Sequence, residues 1–180
     1  MRENQIVIAG FGGQGLLFSG KVLAYAGMME GRYLSWLPSY GPEMRGGTAN
    51  CNVILSDREI GSPIVNHPDI LMVMNGPSLD KFEKDVVPGG KIFIDSSLIT
   101  RKVERTDVEA YYIPASAMAR EMGVPNLANM VLLGALVKAT GCVTEEGLDA
   151  GLQKVIPARK ADMLDINRKM LKAGMDFKGE

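Results

Sequence analysis

The stretch Gly10-Phe11-Gly12-Gly13-Gln14-Gly15 constrains the fold of this chain more than any other part of its sequence. It follows an apolar run, residues 5–9, that is typical of a buried strand, and it precedes a long apolar segment, residues 16–29, that predicts a helix. The glycine spacing fits the pattern G-x-G-x-x-G. In the order strand, turn, helix, such a turn lets backbone approach a helix N-terminus or a bound anion closely, although the glycines alone do not name a ligand.

The rest of the chain alternates predicted strands with predicted helices. Further buried strands are predicted at residues 69–74, 91–95 and 108–113, and helices at residues 77–86, 114–122, 126–140, 144–155 and 159–172. This alternation predicts an α/β fold, a Rossmann-like layered sandwich whose mostly parallel, mixed sheet carries helices on both faces. We expect a single domain over residues 1–180.

The predicted strands end at Gly10-Phe11-Gly12, Asn75-Gly76 and Asp95-Ser96. In a parallel sheet these ends lie along one edge, which is where ligands of open α/β folds bind. Two further expectations concern the segments between them. Residues 31–37 predict a strand that Pro38 stops, and residues 48–55 with 60–65 predict a hairpin or a pair of edge strands.

The helix over residues 16–29 has so few polar positions that we expect a second layer or another subunit to cover it.

The charge balance excludes several classes of partner. Lys and Arg number 20 and Asp and Glu number 21, so the net charge of -1 gives no electrostatic reason to expect nucleic acid or an acidic membrane surface. The N-terminal residues lack a signal-type apolar region, and nowhere does an apolar run reach about eighteen residues. We therefore expect a cytoplasmic protein.

The sequence offers no constellation for difficult chemistry. His67 is the only histidine and has no nucleophile or second ligand near it in sequence, so a loop or capping role is expected. Cys51 and Cys142 stand far apart and are too few for a four-cysteine cluster, so we expect buried, apolar roles for both. A binding scaffold or an accessory subunit is the better interpretation.

A second unusual stretch, rich in Pro and Gly, follows the second predicted strand and has the composition of an ordered loop. It reads Tyr40-Gly41-Pro42-Glu43-Met44-Arg45-Gly46-Gly47. Together with the glycine turn at this distance, it resembles the gamma subunit of the 2-oxoacid:ferredoxin (acceptor) oxidoreductases, most closely the 2-oxoglutarate type. The resemblance continues through Asn75-Gly76-Pro77 and the helix that carries Asn129, and covers almost the whole chain.

The resemblance implies a subunit of an enzyme that oxidatively decarboxylates a 2-oxoacid, makes an acyl-coenzyme A and passes electrons to ferredoxin. Thiamine diphosphate, magnesium and iron–sulfur clusters are then expected on the alpha and beta subunits, with a ferredoxin-like delta subunit in some enzymes. Coenzyme A would be a substrate of the complex. This chain would bind no cofactor alone, would be inactive in isolation and would complete the assembly. Pyruvate and branched-chain 2-oxoacids are the substrates considered next after 2-oxoglutarate.

The residues expected to bind a cofactor or a partner are those of the two motifs and one strand end. They are Gly10, Gly12, Gly13, Gln14, Gly15, Tyr40, Gly41, Pro42, Glu43, Met44, Arg45, Gly46, Gly47 and Asn75. Two alternatives remain open at this point. One is a subunit of indolepyruvate:ferredoxin oxidoreductase, which shares this type of domain. The other is a stand-alone dinucleotide-binding protein, although residues 35–37 lack the acidic residue that such a fold places after its second strand.

Replacement of Arg45 by Ala tests whether the second motif is a contact loop. Glu43 and Arg45 are expected to pair with each other or with a partner subunit. If the pair is desolvated in the assembly, truncation of one partner costs about 2 to 5 kcal/mol because the other charge stays buried and unpaired. We expect weaker assembly and lower turnover, measured by co-purification and by 2-oxoacid-dependent reduction of ferredoxin. Unchanged assembly and turnover would exclude the contact role.

Overall fold

The computed structural model describes residues 2–39 and 48–179. Its strands are β1 (Glu3–Phe11), β2 (Tyr33–Ser39), β3 (Thr48–Ser56), β4 (Ile70–Val73), β5 (Lys91–Asp95) and β6 (Glu109–Ile113). Its helices are α1 (Leu16–Met29), α2 (Gly76–Phe82), α3 (Ala115–Glu121), α4 (Ala128–Thr140), α5 (Glu145–Val155) and α6 (Ala161–Asp176).

The six strands found in the described residues form one sheet in the order β2-β3-β1-β4-β5-β6. Strands β1, β4, β5 and β6 pair in parallel, whereas β3 is antiparallel to both of its neighbours, β1 and β2. The predicted α/β class with a mixed, mostly parallel sheet is confirmed. Because β1, β4, β5 and β6 run in one direction, their carboxyl ends lie along a single edge, called the carboxyl edge below.

Side chains alternate between the two faces of the sheet, and both faces are buried. Ile6 and Ile8 of β1 contribute to a large core on one face, while Val7 and Ala9 contribute to a smaller core on the other. Burial on both faces explains why the central strands read as continuous apolar runs rather than as alternating patterns.

Helices cover the two faces unequally. On the large-core face, α1 and α4 form an inner layer, and α5 packs on α1 while α6 packs on α4. The expectation that a second layer covers the first helix is thus confirmed. On the other face, α2 contributes Leu79, and Val65, Val86 and Ile99 from the connecting segments complete that core. None of the helices in the described residues has the length and apolar character needed to cross a membrane.

Two of the expectations about strands are wrong, one about where β2 ends and one about the partner of β3. Strand β2 continues through Pro38 to Ser39, because β2 is an edge strand and a proline nitrogen can face the open side of such a strand. The predicted partner of β3 was residues 60–65, but residues 57–69, all of them described, contain no strand. Instead β3 lies inside the sheet, where it pairs with β1 and β2. Local sequence pattern does not distinguish these pairings, since they join residues far apart in the chain.

The outer helices approach the inner ones at glycines. A methyl group at Gly174 of α6 would overlap the carbonyl oxygen of Val131 of α4, and one at Gly134 of α4 would overlap the carbonyl of Leu171 of α6. On the other side, a Cβ at Gly151 of α5 would lie 2.7 Å from the carbonyl oxygen of Val22 of α1. Both helix pairs therefore meet backbone to backbone.

Replacement of Gly174 by Ala should separate α4 from α6. The overlapping atom is backbone and cannot rotate away, so we expect a loss of about 3 kcal/mol in the free energy of unfolding, measured by urea denaturation. Gly61→Ala is the matched control, because nothing lies within 4 Å of its Cβ position. Its effect should stay within about 0.5 kcal/mol. Equal effects of the two substitutions would contradict the close crossing.

Candidate functional site

The glycine turn closes the carboxyl end of β1, and the side-chain amide of Gln14 lies at its centre. Gln14 Oε1 accepts a hydrogen bond from the backbone amide of Phe11 at 2.7 Å. Gln14 Nε2 donates to the carbonyl oxygen of Met74, just beyond the end of β4, at 3.0 Å. Both polar atoms of the Gln14 side chain thus have hydrogen-bond partners inside the chain. Gln14 joins two neighbouring strand ends.

Glycine is required at the two ends of the turn for different reasons. A Cβ at Gly10 would overlap Gln14 Oε1, so Gly10 makes room for the bridging amide. Gly15, which precedes α1, has a left-handed backbone with φ of 76°. A Cβ there would also lie 2.5 Å from Asn129 Nδ2. Both conformation and crowding thus favour glycine at position 15.

A buried polar cluster connects this turn to α4, and the sequence interpretation did not include it in the site. Asn129 Nδ2 donates to the carbonyl oxygen of Gly15 and to Ser19 Oγ, both at 3.0 Å. Ser19 Oγ in turn donates to Gly15 O at 3.1 Å. The first turn of α4 is thereby held against the first turn of α1. The available signal was an Asn in the first turn of a strongly apolar helix.

The middle of the turn faces outward. Gly12 and Gly13 are exposed, Gly13 has φ of 91° with nothing within 4 Å of its Cβ position, and Phe11 is 43% exposed. No side chain caps the start of α1. Because the first amides of a helix have no intrahelical acceptor and carry partial positive charge, this surface suits an acceptor or an anionic group.

The neighbouring strand ends are occupied by buried polar side chains. Asn75 caps α2 by accepting the amide of Ser78 at 2.9 Å, and its Nδ2 has no hydrogen-bond partner among the described residues. Asp95 is fully buried, and its carboxylate accepts the amides of Ser97 and Ser116 at 3.1 and 3.2 Å as well as the Ser116 hydroxyl. These bonds hold the ends of β5 and β6 together.

Four helices therefore begin at the carboxyl edge. Helices α1, α2 and α3 follow β1, β4 and β6, and the contact between Asn129 and Gly15 brings the start of α4 to the same edge. Their N-terminal dipoles add there. The edge thus presents backbone amides and amide side chains rather than a nucleophile with a base.

The donor atoms of the described residues do not fit a metal centre. In residues 2–39 and 48–179, no three His, Cys, Asp or Glu side chains group so that they could hold a metal ion. Cys51 and Cys142 are fully buried as expected; burial raises the pKa of the Cys51 thiol to about 12 and also raises the pKa of Cys142. Thiolates ligate iron–sulfur clusters, and these two thiols stay protonated at neutral pH. His67 is exposed in a loop.

Strand order also argues against a dinucleotide site of the Rossmann kind. In that fold the second strand lies parallel beside the first, and an acidic residue at its end binds the ribose. Here the antiparallel β3 occupies the place beside β1, and β2 lies one strand further out. The end of β2 is therefore separated from the glycine turn by a whole strand.

The second motif, residues 40–47, lies outside the described residues. Its flanking residues are described, however. Thr48, which follows it, pairs with Phe11 at the end of β1, and Ser39, which precedes it, pairs with Asn50. Both flanking residues thus lie at the carboxyl edge, Thr48 beside the glycine turn and Ser39 one strand further out.

Comparison of Gly15→Ala with Gly31→Ala separates backbone strain from crowding. Both glycines have φ near 75°, but a Cβ at Gly31 would meet nothing within 4 Å. We expect Gly31→Ala to cost about 1 to 2 kcal/mol in the free energy of unfolding, from the left-handed backbone alone. Gly15→Ala should cost at least about 1 kcal/mol more, because Asn129 must move.

A double-mutant cycle with Asn129→Ala tests whether crowding against Asn129 causes the additional cost of Gly15→Ala. The additional cost of Gly15→Ala should shrink when the Asn129 amide is absent. Guanidinium unfolding of the four variants gives the coupling free energy, and a coupling of zero would contradict the contact.

Comparison with known proteins extends over nearly the whole chain. Residues 5–177 match the family described as pyruvate ferredoxin/flavodoxin oxidoreductase. The ketoisovalerate oxidoreductase subunit VorA of Methanothermobacter thermautotrophicus is 43% identical over 180 residues, which are 99% of this chain but only 37% of that protein. The 2-oxoglutarate synthase subunit KorC of Methanothermobacter marburgensis is 37% identical over 162 residues, which cover 86% of this chain and 87% of that subunit.

A solved structure agrees with this fold over nearly its full length. The gamma subunit of a keto/oxoacid ferredoxin oxidoreductase from Geobacter sulfurreducens is 31% identical, with a TM-score of 0.82 over 96% of each chain. The glycine turn, the sheet and its helix layers thus lie within a known type of subunit. This chain belongs to the pyruvate ferredoxin/flavodoxin oxidoreductase family.

Proposed function

We propose that this chain acts as the gamma subunit of a multi-subunit 2-oxoacid:ferredoxin oxidoreductase. The enzyme would oxidatively decarboxylate a 2-oxoacid to an acyl-coenzyme A and transfer the electrons to ferredoxin. The observation that carries this proposal is the agreement of fold with the Geobacter gamma subunit over 96% of both chains. The chain would be a single domain that completes the assembly.

The catalytic groups are proposed to lie on other subunits. Two protonated, buried thiols do not suit an iron–sulfur cluster, and the described part of the chain gathers no set of metal ligands. This chain also spans only 37% of the length of VorA. Thiamine diphosphate, magnesium and the clusters would be held by alpha and beta subunits, in some enzymes with a ferredoxin-like delta subunit.

The carboxyl edge is proposed as the surface that meets those subunits. In this proposal Gly10, Gln14 and Gly15 shape the turn, and Gly12, Gly13 and the exposed Phe11 form the contact. Thr48, which directly follows residues 40–47, pairs with Phe11, and this supports a joint role for both motifs. The helix N-termini would favour an anionic group there, such as a carboxylate of a partner or a phosphate of coenzyme A.

We propose that other subunits, rather than this chain, select the 2-oxoacid substrate. Relatives named for ketoisovalerate and for 2-oxoglutarate are 43% and 37% identical to it, so similarity to these relatives does not separate the two substrates.

Anaerobic co-purification of the tagged chain from its own cells tests the function. We expect recovery of larger subunits together with iron and thiamine diphosphate, and ferredoxin reduction that depends on coenzyme A and on one of 2-oxoglutarate, 3-methyl-2-oxobutanoate or pyruvate. A lone chain that carries a nucleotide would overturn the proposal.

Phe11→Ala tests the contact surface within the same experiment. Because the side chain is largely exposed, its removal should change the free energy of unfolding by less than about 1 kcal/mol. Loss of a buried interface anchor costs about 2 kcal/mol, which corresponds to weaker association by more than tenfold. Met163→Ala is the control, because Met163 is similarly exposed on α6, at 48% against 43% for Phe11. If both variants associate equally well with the other subunits, Phe11 does not belong to the interface.

A further inference from the structure

The open edge of β6 borders a groove that the proposed function does not use. The groove encloses about 710 Å³ and lies between the last strand of the sheet and the C-terminal parts of α4 and α6. Tyr111 and Tyr112 line it from the strand, and Met175 and Phe177 line it from the end of α6. It is thus partly apolar and is separate from the glycine turn.

The hydrogen-bonding pattern of β6 shows which of its backbone groups face this groove. The amide of Glu109 donates to the carbonyl of Gly90, and the carbonyl of Ile113 accepts from the amide of Ser96, both at 2.9 Å. These bonds direct the backbone groups of residues 109, 111 and 113 towards β5. The backbone groups of Ala110 and Tyr112 therefore point to the open side, where no described strand pairs with β6.

The charged side chains among the described residues that line the groove are all positive. Lys102 lies on the Tyr112 side, with Nζ 4.1 Å from that ring centroid, while Lys138 and Lys178 lie on the side of α4 and α6. Among the described residues that line the groove there are three lysines and no carboxylate. Lys138 pairs with Glu145 at 3.2 Å, but both side chains are more than half exposed, so this pair is weak.

We propose that this groove receives an extended, acidic segment of a partner subunit, which pairs with β6 as an additional strand. Ala110 and Tyr112 would supply the main-chain hydrogen bonds, and the lysines on the two sides would meet carboxylates on successive residues of the segment, because successive side chains of a strand point to opposite faces. The inference rests on the proposed function, since the segment belongs to a subunit of the same oxidoreductase. The opposite edge of the sheet, β2, is less suited to pairing because it contains Pro38.

A peptide titration on the full chain tests the groove without the partner. The probe is a fluorescent peptide in which pairs of glutamates alternate with pairs of valines, so that carboxylates lie on both faces of the added strand, and a peptide with lysine in place of each glutamate is its control. We expect only the acidic peptide to bind. Lys102→Glu combined with Lys178→Glu should weaken its binding about tenfold or more, whereas Lys160→Glu with Lys169→Glu, two exposed positions outside the groove, should leave it within about twofold.

Ala110→Pro separates strand addition from simple charge attraction. Proline removes an amide that points to the open side and leaves the hydrogen bonds to β5 in place. We expect the variant to stay folded, as judged by circular dichroism, and to lose binding of the acidic peptide. Equal binding of both peptides, or full binding by Ala110→Pro, would overturn the proposal.

Hydrogen exchange distinguishes failure of this inference from failure of the proposed function. In the complex recovered by co-purification, the amides of Ala110 and Tyr112 should exchange more slowly than in the isolated chain. Recovered subunits without this protection would overturn the groove proposal and leave the gamma-subunit function intact. Protection in an isolated dimer would assign the groove to a second copy instead, and recovery of no subunits would overturn both.

Discussion

Close backbone contact between two layers of helices is the constraint on which the remaining architecture depends. Helices α5 and α6 reach α1 and α4 only because glycines stand at the crossings, as Gly151 and Gly174 show. The inner helices are thereby held between the sheet and a second layer, which explains why α1 and α4 are apolar on nearly all sides. With both inner helices fixed, their N-termini meet at the carboxyl edge.

The contact between the N-termini of α1 and α4 positions the polar groups of the candidate site. Asn129 bonds to the carbonyl of Gly15 and to Ser19, and Gln14 bonds to Phe11 and to Met74, so the polar groups at this edge connect four elements of the fold. Nearly all of these polar side chains serve the scaffold rather than a ligand. Among the described residues of the glycine turn, the backbone of Gly12 and Gly13 and the side chain of Phe11 remain at the surface. In the proposed function, this surface serves assembly with other subunits rather than independent catalysis.

The two edges of the sheet differ in a way that bears on assembly. Strand β2 carries a proline and lies beside the flanks of the second motif, whereas β6 leaves the backbone groups of Ala110 and Tyr112 open beside three lysines. An open strand edge attracts other strands, and natural proteins usually block or cover it. An edge left open in a subunit is most simply explained by a partner that covers it.

Sequence by itself determined the order of most elements and the glycine turn over residues 10–15. The reason is that continuous apolar runs and the spacing of glycines are local signals. The helix over residues 16–29 and the strand over residues 91–95 agree with α1 and β5. Only the tertiary structure decided that β3 lies between β1 and β2, that β2 passes through Pro38, and that Asn129 joins the turn. Each of these depends on contacts between residues distant in the chain, for which a single sequence carries no periodic signal. The same holds for one bond of Gln14: its bond to Met74 follows from the parallel pairing of β1 with β4, whereas its bond from the Phe11 amide is local.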